Sequence, residues 1–129
     1  MGSMLIAECD CGFKSEIINA GGGMMNFNEV LNAPALCKKC RILIVKNYLK
    51  KNPRCHRCRG KINFYNDPAL YKGDLPKDVN DCIFYWRLPD DFDSVYPEIK
   101  NFFCLPNTDY TCPECGKMNL KFINVGCWD

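Results

Sequence analysis

The sequence predicts a small, mostly β, metal-stabilised fold, with two four-cysteine sites on short antiparallel hairpins and an irregular insertion. Three observations lead there. Eight of the eleven cysteines fall into four tight pairs, Cys9/Cys11, Cys37/Cys40, Cys55/Cys58 and Cys112/Cys115. The apolar runs beside them are short, β-branched or aromatic, and bounded by Gly, Pro, Asn or charge, the pattern of strands. The 47% hydrophobic content of the 129 residues includes those cysteines, so the remaining core supply is modest and metal would supplement it. One compact domain is expected over 1–129: a central stretch 36–65, an irregular acidic insertion 66–109, and a C-terminal knuckle and strand 110–129.

In chain order, LIAECDCGFKSEIIN alternates weakly and reads as two short strands around the Cys9-Asp10-Cys11-Gly12 knuckle. Ala20-Gly21-Gly22-Gly23 reads as a turn; no Gly-Lys-Ser/Thr follows, and the spacing of a dinucleotide-binding turn is missing. MMNFNEVLN is a strand or a helical turn, ended by Pro34. Ile42-Leu43-Ile44-Val45 reads as a strand, with a helix through Val45, Tyr48 and Leu49 as the alternative. Asn52-Pro53 turns into the third knuckle, and Lys61–Tyr65 follows as a strand. Residues 66–80 read as loop, CIFYWRL from Cys82 as a buried strand, and Ser94–Phe103 as the place for a short helix. NLKFINVGCWD closes the chain as a strand, with Leu120 and Phe122 on one face and Ile123 and Val125 on the other, both partly covered.

A Cys-x-x-Cys pair places two sulfurs on one tight turn, and two such turns make a tetrahedral four-thiolate site. Zinc suits that site, having no geometric preference from its d-electrons and binding thiolates at about 2.3 Å. Cys40 and Cys55 are separated by fourteen residues, close to the usual gap of roughly 15–20. Eight thiolates fill two zinc sites with none over. Three partitions are open: Cys37, Cys40, Cys55 and Cys58 with Cys9, Cys11, Cys112 and Cys115; a sequential grouping; and an interleaved one. Iron needs the same four sulfurs. Cys82, Cys104 and Cys127 stand among apolar neighbours and read as small buried hydrophobes. His56, the only histidine, finds no vacant position beside four thiolates and is expected to face solvent.

Knuckle, strand, turn, knuckle, strand over 36–65 resembles the zinc-ribbon family, and 110–125 resembles half a ribbon. The first knuckle departs from that pattern in being Cys-x-Cys. The layout as a whole looks like small bacterial tandem zinc-ribbon proteins of unassigned activity: Cys-x-Cys-Gly-Phe, a Gly-Gly-Gly-Met stretch, the ribbon, then Cys-Pro-x-Cys-Gly and Trp-Asp. The resemblance implies metal binding.

A site closed by four thiolates leaves no position for a reacting water, so structural metal is the expectation. With one histidine the chain shows no other catalytic constellation, and no small-molecule substrate is expected. The alternative is an accessory thiol-redox or metal-handling protein, although the knuckles recur and no βαβ pattern surrounds them. Charge suggests a partner. Residues 37–66 carry Lys38, Lys39, Arg41, Lys46, Lys50, Lys51, Arg54, Arg57, Arg59 and Lys61 and no acid, between net-acidic flanks. Such a block suits nucleic acid or an acidic protein, with Tyr48, Phe64 and Tyr65 offered for base stacking. Partial neutralisation of the thiolate centres is the plainer use of that charge. The opening MGSMLIAECDC has no basic region and too short an apolar run for an export signal. No run approaches the roughly 18 apolar residues of a membrane span. Reducing cytoplasm is therefore the expected compartment.

Overall fold

A computed structural model describes residues 2–22, 29–73, 79–89 and 102–128. These residues form a mostly β protein without α-helix, carrying eight strands and two short 3-10 turns, Pro68–Leu70 and Val79–Asp81. The strands are β1 (Gly2–Cys9), β2 (Ile18–Gly21), β3 (Asn32–Cys37), β4 (Ile42–Asn47), β5 (Asn63–Phe64), β6 (Cys82–Arg87), β7 (Phe102–Pro106) and β8 (Leu120–Trp128). No helix among the described residues is long and apolar enough to cross a membrane.

The main sheet runs β4-β3-β2-β1-β8, with β5 also paired to β3. Sequence distance is closed by β1 and β8, antiparallel from Gly2↔Trp128 to Cys9↔Leu120, with a register shift between Met4 and Leu5. β3 is the other organising strand. Its residues 33–37 are all buried, β4 pairs with it from Asn32↔Asn47 to Cys37↔Ile42, and β5 meets it at Ala35 and Leu36.

Pro34 was expected to end the segment before it; the strand instead passes through it. The Pro34 carbonyl accepts from the Tyr65 N–H at 3.1 Å, toward β5. In a strand, N and O of one residue face the same edge, so the donor that proline lacks is missing on that edge and the ladder to β4 loses nothing. The Ile42–Val45 reading is extended to Asn47, and the helical alternative is not adopted. After the first knuckle, regular strand begins only at Ile18, with a lone Glu8↔Lys14 bridge before it. Phe102 and Phe103 are strand rather than helix, while residues 94–101 of the expected helix lie outside the described residues. Residues 24–28 of the MMNFNEVLN reading lie outside them too.

One cluster of buried side chains draws on every part of the chain: Leu5 and Ile18 from the first strands, Leu36, Tyr48 and Tyr65 from the centre, Phe84 and Phe103 from the insertion, and Tyr110 and Phe122 near the end. Edge-to-face rings stitch these together, with Tyr48 on Phe103 at 4.8 Å, Tyr65 on Phe122 at 5.3 Å and Tyr110 on Phe122 at 4.9 Å. Such pairs add about 0.5–1.5 kcal/mol each beyond area burial. On β8, Leu120 and Phe122 point inward, but Ile123 and Val125 are exposed, so the outer face is open rather than partly covered.

The two-stranded β6-β7 sheet meets the main sheet at Gly21, which has φ +103; a Cβ there would lie 2.7 Å from the Trp86 ring and 3.1 Å from Gly2 Cα. Gly21→Ala combines a backbone conformation disfavoured for L-residues with a clash, and is expected to lower stability by about 2 kcal/mol. Gly73, at φ +91 in open space, isolates the backbone part, so Gly73→Ala should cost only about 1 kcal/mol. Urea unfolding followed by tryptophan fluorescence measures both. Equal losses would remove the Trp86 contact from this account.

Candidate metal centres

The eight paired cysteines converge in two groups, Cys9/Cys11/Cys112/Cys115 (centre I) and Cys37/Cys40/Cys55/Cys58 (centre II), with all four sulfurs of each within 4.8 Å of one another. Of the three partitions open in the sequence, this is the one that joins the chain ends. Sulfur–sulfur separations are 3.7 Å for Cys9–Cys115, 3.8 Å for Cys11–Cys112, 3.6 Å for Cys37–Cys58 and 3.8 Å for Cys40–Cys55. A tetrahedron with metal–sulfur bonds of about 2.3 Å has edges of about 3.8 Å, so the groups fit a tetrahedral thiophilic ion.

Strand register builds both centres. At centre I, Cys9 ends β1 opposite Leu120, and Leu120 pairs on its other side with Tyr110, two residues before Cys112. The sheet thus carries residue 9 to residue 112. At centre II, Cys37 ends β3, and β5 returns beside it through Leu36↔Asn63. An Arg54↔Lys61 bridge closes the neck of the Cys55–Cys58 knuckle between them.

Each knuckle is closed by a backbone N–H from the residue after its second cysteine to the carbonyl of its first. These bonds are Gly12 to Cys9 (3.0 Å), Arg41 to Cys37, Arg59 to Cys55 and Gly116 to Cys112 (each 2.9 Å). The Cys-x-Cys knuckle makes the same closure one residue tighter. All four closing residues are left-handed, at φ 102, 57, 57 and 75. Glycine serves at two of them. Arginine stands at the other two, where it is disfavoured.

The knuckles also aim N–H groups at sulfur: Cys40 at Cys37 Sγ (3.5 Å), Arg57 at Cys55 Sγ (3.4 Å) and Gly60 at Cys58 Sγ (3.3 Å). Charge is accordingly divided unevenly among the sulfurs. Backbone donation from Cys58, with that from Arg57 and the neighbouring thiols, lowers Cys55 to about 6 against the opposing effect of burial. Cys40, which donates to Cys58, is pushed up to about 12. In centre I the Lys117 N–H lowers Cys115, while burial raises Cys112 and takes Cys9 to about 12. An ion that binds must displace the protons of the thiols that are pushed up.

The centres differ in exposure: Cys37 and Cys55 are buried, whereas Cys11 of centre I is exposed. They also touch through intermediaries. The Arg41 guanidinium donates to the Glu114 carbonyl within the centre I knuckle. The Tyr65 hydroxyl donates to the carbonyl of Thr111, just before Cys112, at 2.9 Å. Burial pushes the Tyr65 phenol far above its ordinary range, so it stays a donor. Neither tether was anticipated from the sequence. The comparison that hints at the first is local: two knuckles end in glycine and two in arginine.

Of the remaining cysteines, Cys104 is buried and burial raises its thiol to about 12, in keeping with a small apolar role. Cys82 is half-buried. Cys127 is exposed on the edge strand β8, which corrects the buried reading there. His56 is exposed and outside both groups. The ten basic residues lie around centre II. Lys38, Lys39 and Arg41 are on one knuckle, Arg57 and Arg59 on the other, Arg54 and Lys61 at its neck, Lys50 and Lys51 in the turn after β4, and Lys46 on β4. All but Lys46 are exposed. The aromatics offered for stacking are not available: Tyr48 and Tyr65 are buried, and Phe64 is half-buried edge-on to Tyr48 at 4.9 Å.

Fold and sites together define a small, mostly β protein with two four-cysteine groups compatible with metal binding. No family model, characterised protein or solved structure matches the chain.

Intact-protein mass spectrometry under native conditions should find two metal ions per chain, the two tetrads being the groups of this kind among the described residues. Cys58→Ser should leave one ion. Cys127→Ser, on an exposed residue outside both groups, should leave two. Loss of an ion in Cys127→Ser would overturn the ligand assignment.

Proposed function

We propose that the chain is a structural zinc protein of the zinc-ribbon kind. In this reading it acts as a binding or adaptor module whose basic block meets the phosphate backbone of nucleic acid. The convergence of eight thiols into two tetrahedral groups carries the first half. A filled four-thiolate site presents no open position for chemistry. It can supply a large part of the folding energy, about 10–16 kcal/mol for zinc-finger peptides at neutral pH. Zinc is favoured over iron because it is redox-inert and holds this geometry without constraint. Elemental analysis should return two zinc ions that survive mild chelation. Iron, or one labile ion, would overturn this half.

The second half rests on charge. Two tetrathiolate zinc centres carry about −2 each, so they offset at most about four of the ten cations. Neutralisation therefore accounts for less than half of the block. Among the described residues, ion pairs join Lys14 to Glu8 and Asp109 to Lys72 and Lys121, and none of the ten takes part. Burial of Tyr48 and Tyr65 favours contacts to phosphate over base stacking, hence little dependence on base sequence. Fluorescence anisotropy with a labelled duplex should show binding at low salt that weakens steeply as salt rises. The triple charge reversal Lys50→Glu, Lys51→Glu, Arg54→Glu should weaken binding and flatten the log–log salt slope by about 3. Absence of low-salt binding, or an unchanged slope, would end this half.

A further inference from the structure

The two tetrads lie on one scaffold. Arg41 is the residue after Cys40, and its own N–H closes the centre II knuckle onto the Cys37 carbonyl at 2.9 Å. Its guanidinium donates to the carbonyl of Glu114, between Cys112 and Cys115 of centre I. A single residue is thus part of one knuckle through its backbone and grips the other through its side chain. Its backbone is left-handed at φ 57, where glycine serves in two sister knuckles. Arg59 makes the useful contrast: it has the same φ of 57 and the same closing bond, to Cys55. No hydrogen bond of its side chain is found among the described residues.

We propose that the two centres load metal cooperatively and that Arg41 is the positioning residue that joins them. This rests on the reading of both tetrads as metal sites. An ion in centre II fixes the Cys37–Cys40 turn, and with it the direction in which the Arg41 side chain leaves the backbone. The guanidinium then holds the Glu114 carbonyl and presents Cys112 and Cys115 together to Cys9 and Cys11. The gain falls on the more open centre, whose Cys11 is exposed, and by linkage centre I favours centre II by the same factor. Tyr65, donating to the Thr111 carbonyl at 2.9 Å, is a second tether. It springs from the core beyond β5 and not from a knuckle, so it fixes the position of the centre I knuckle whatever the occupancy of centre II.

The test is a cobalt(II) titration of the whole chain against a competing chelator, following the thiolate charge-transfer absorption. Arg41→Gly removes the guanidinium and eases the backbone. Arg59→Gly makes the same backbone change at the same centre without touching centre I. The second ion should bind roughly fivefold more weakly in Arg41→Gly than in wild type, the ratio expected for one net hydrogen bond, and as in wild type in Arg59→Gly. In a Cys58→Ser background, where centre II is disabled, Arg41→Gly should leave the affinity of the remaining ion unchanged. The proposal is overturned if Arg41→Gly and Arg59→Gly titrate alike, or if Arg41→Gly weakens the remaining ion equally in the Cys58→Ser background. Should Cys58→Ser fail to fold, Cys40→Ser disables the same centre and takes its place in this comparison. Two ions bound without an Arg41 effect refute only the coupling; no cobalt bound refutes the metal reading as well.

Discussion

The pairing of β1 with β8 is the constraint on which the rest depends. Centre II closes a loop of fourteen residues between Cys40 and Cys55, whereas centre I must bring Cys11 to Cys112 across a hundred. Loop-closure entropy grows only logarithmically, so the longer closure costs about 2 kcal/mol more than the shorter. Two strands of eight and nine residues, zipped by backbone hydrogen bonds, offset that cost without help from the thiols. Cys9 then arrives beside Leu120, and Leu120 beside Tyr110. Centre I is therefore a consequence of the sheet. Centre II is closer to a local event, needing only β3, β5 and two knuckles.

This difference explains how much of the fold and the sites could be read from the sequence. The ligands are legible because tetrahedral thiolate chemistry dictates both residue type and spacing within each knuckle. Their partition is less so: three groupings satisfy the same sulfur count, and only the register of Cys9 against Leu120 selects one. Strand signals hold where β-branched residues cluster, as at Ile42–Val45, and fail at β3. There small residues and Pro34 carry little β propensity, and the strand exists because β4 lies along one edge and β5 and β2 share the other. The aromatics near the basic block look available from composition alone. Tyr48, Phe64 and Tyr65 are instead taken up by the core that joins the central strands to Phe103, Tyr110 and Phe122. Long-range packing decides such cases, and no local window contains it.

The distribution of charge follows from the same architecture. A tetrathiolate centre is a concentrated negative charge, and the field around it is softened by N–H groups aimed at sulfur and by nearby cations. At centre II the knuckle turns carry five basic residues, Lys38, Lys39, Arg41, Arg57 and Arg59. At centre I the intervening residues are Asp10, Pro113 and Glu114, which add negative charge or none. Centre I therefore has less electrostatic support of its own, and the Arg41 guanidinium supplies a cation from the other centre to the very knuckle that contains Glu114. Arginine suits the position better than lysine would. Its planar fork can hold a carbonyl while its remaining donors stay hydrated, and its charge does not titrate.

Two demands on the basic block are thus separable by residue. Arg41 is committed to a backbone carbonyl of the other knuckle, and what it contributes is order between the centres. Lys50, Lys51 and Arg54 lie in the turn between β4 and the third knuckle, are exposed, and form no ion pair among the described residues. None of the three side chains donates to a thiolate or to the other centre, so charge reversal there removes no hydrogen bond of a knuckle or tether. A loss of affinity for a polyanion in that variant would therefore report on the surface itself. The separation arises because the knuckles spend their backbone groups on closure and on sulfur, which leaves the side chains of the intervening residues directed at solvent.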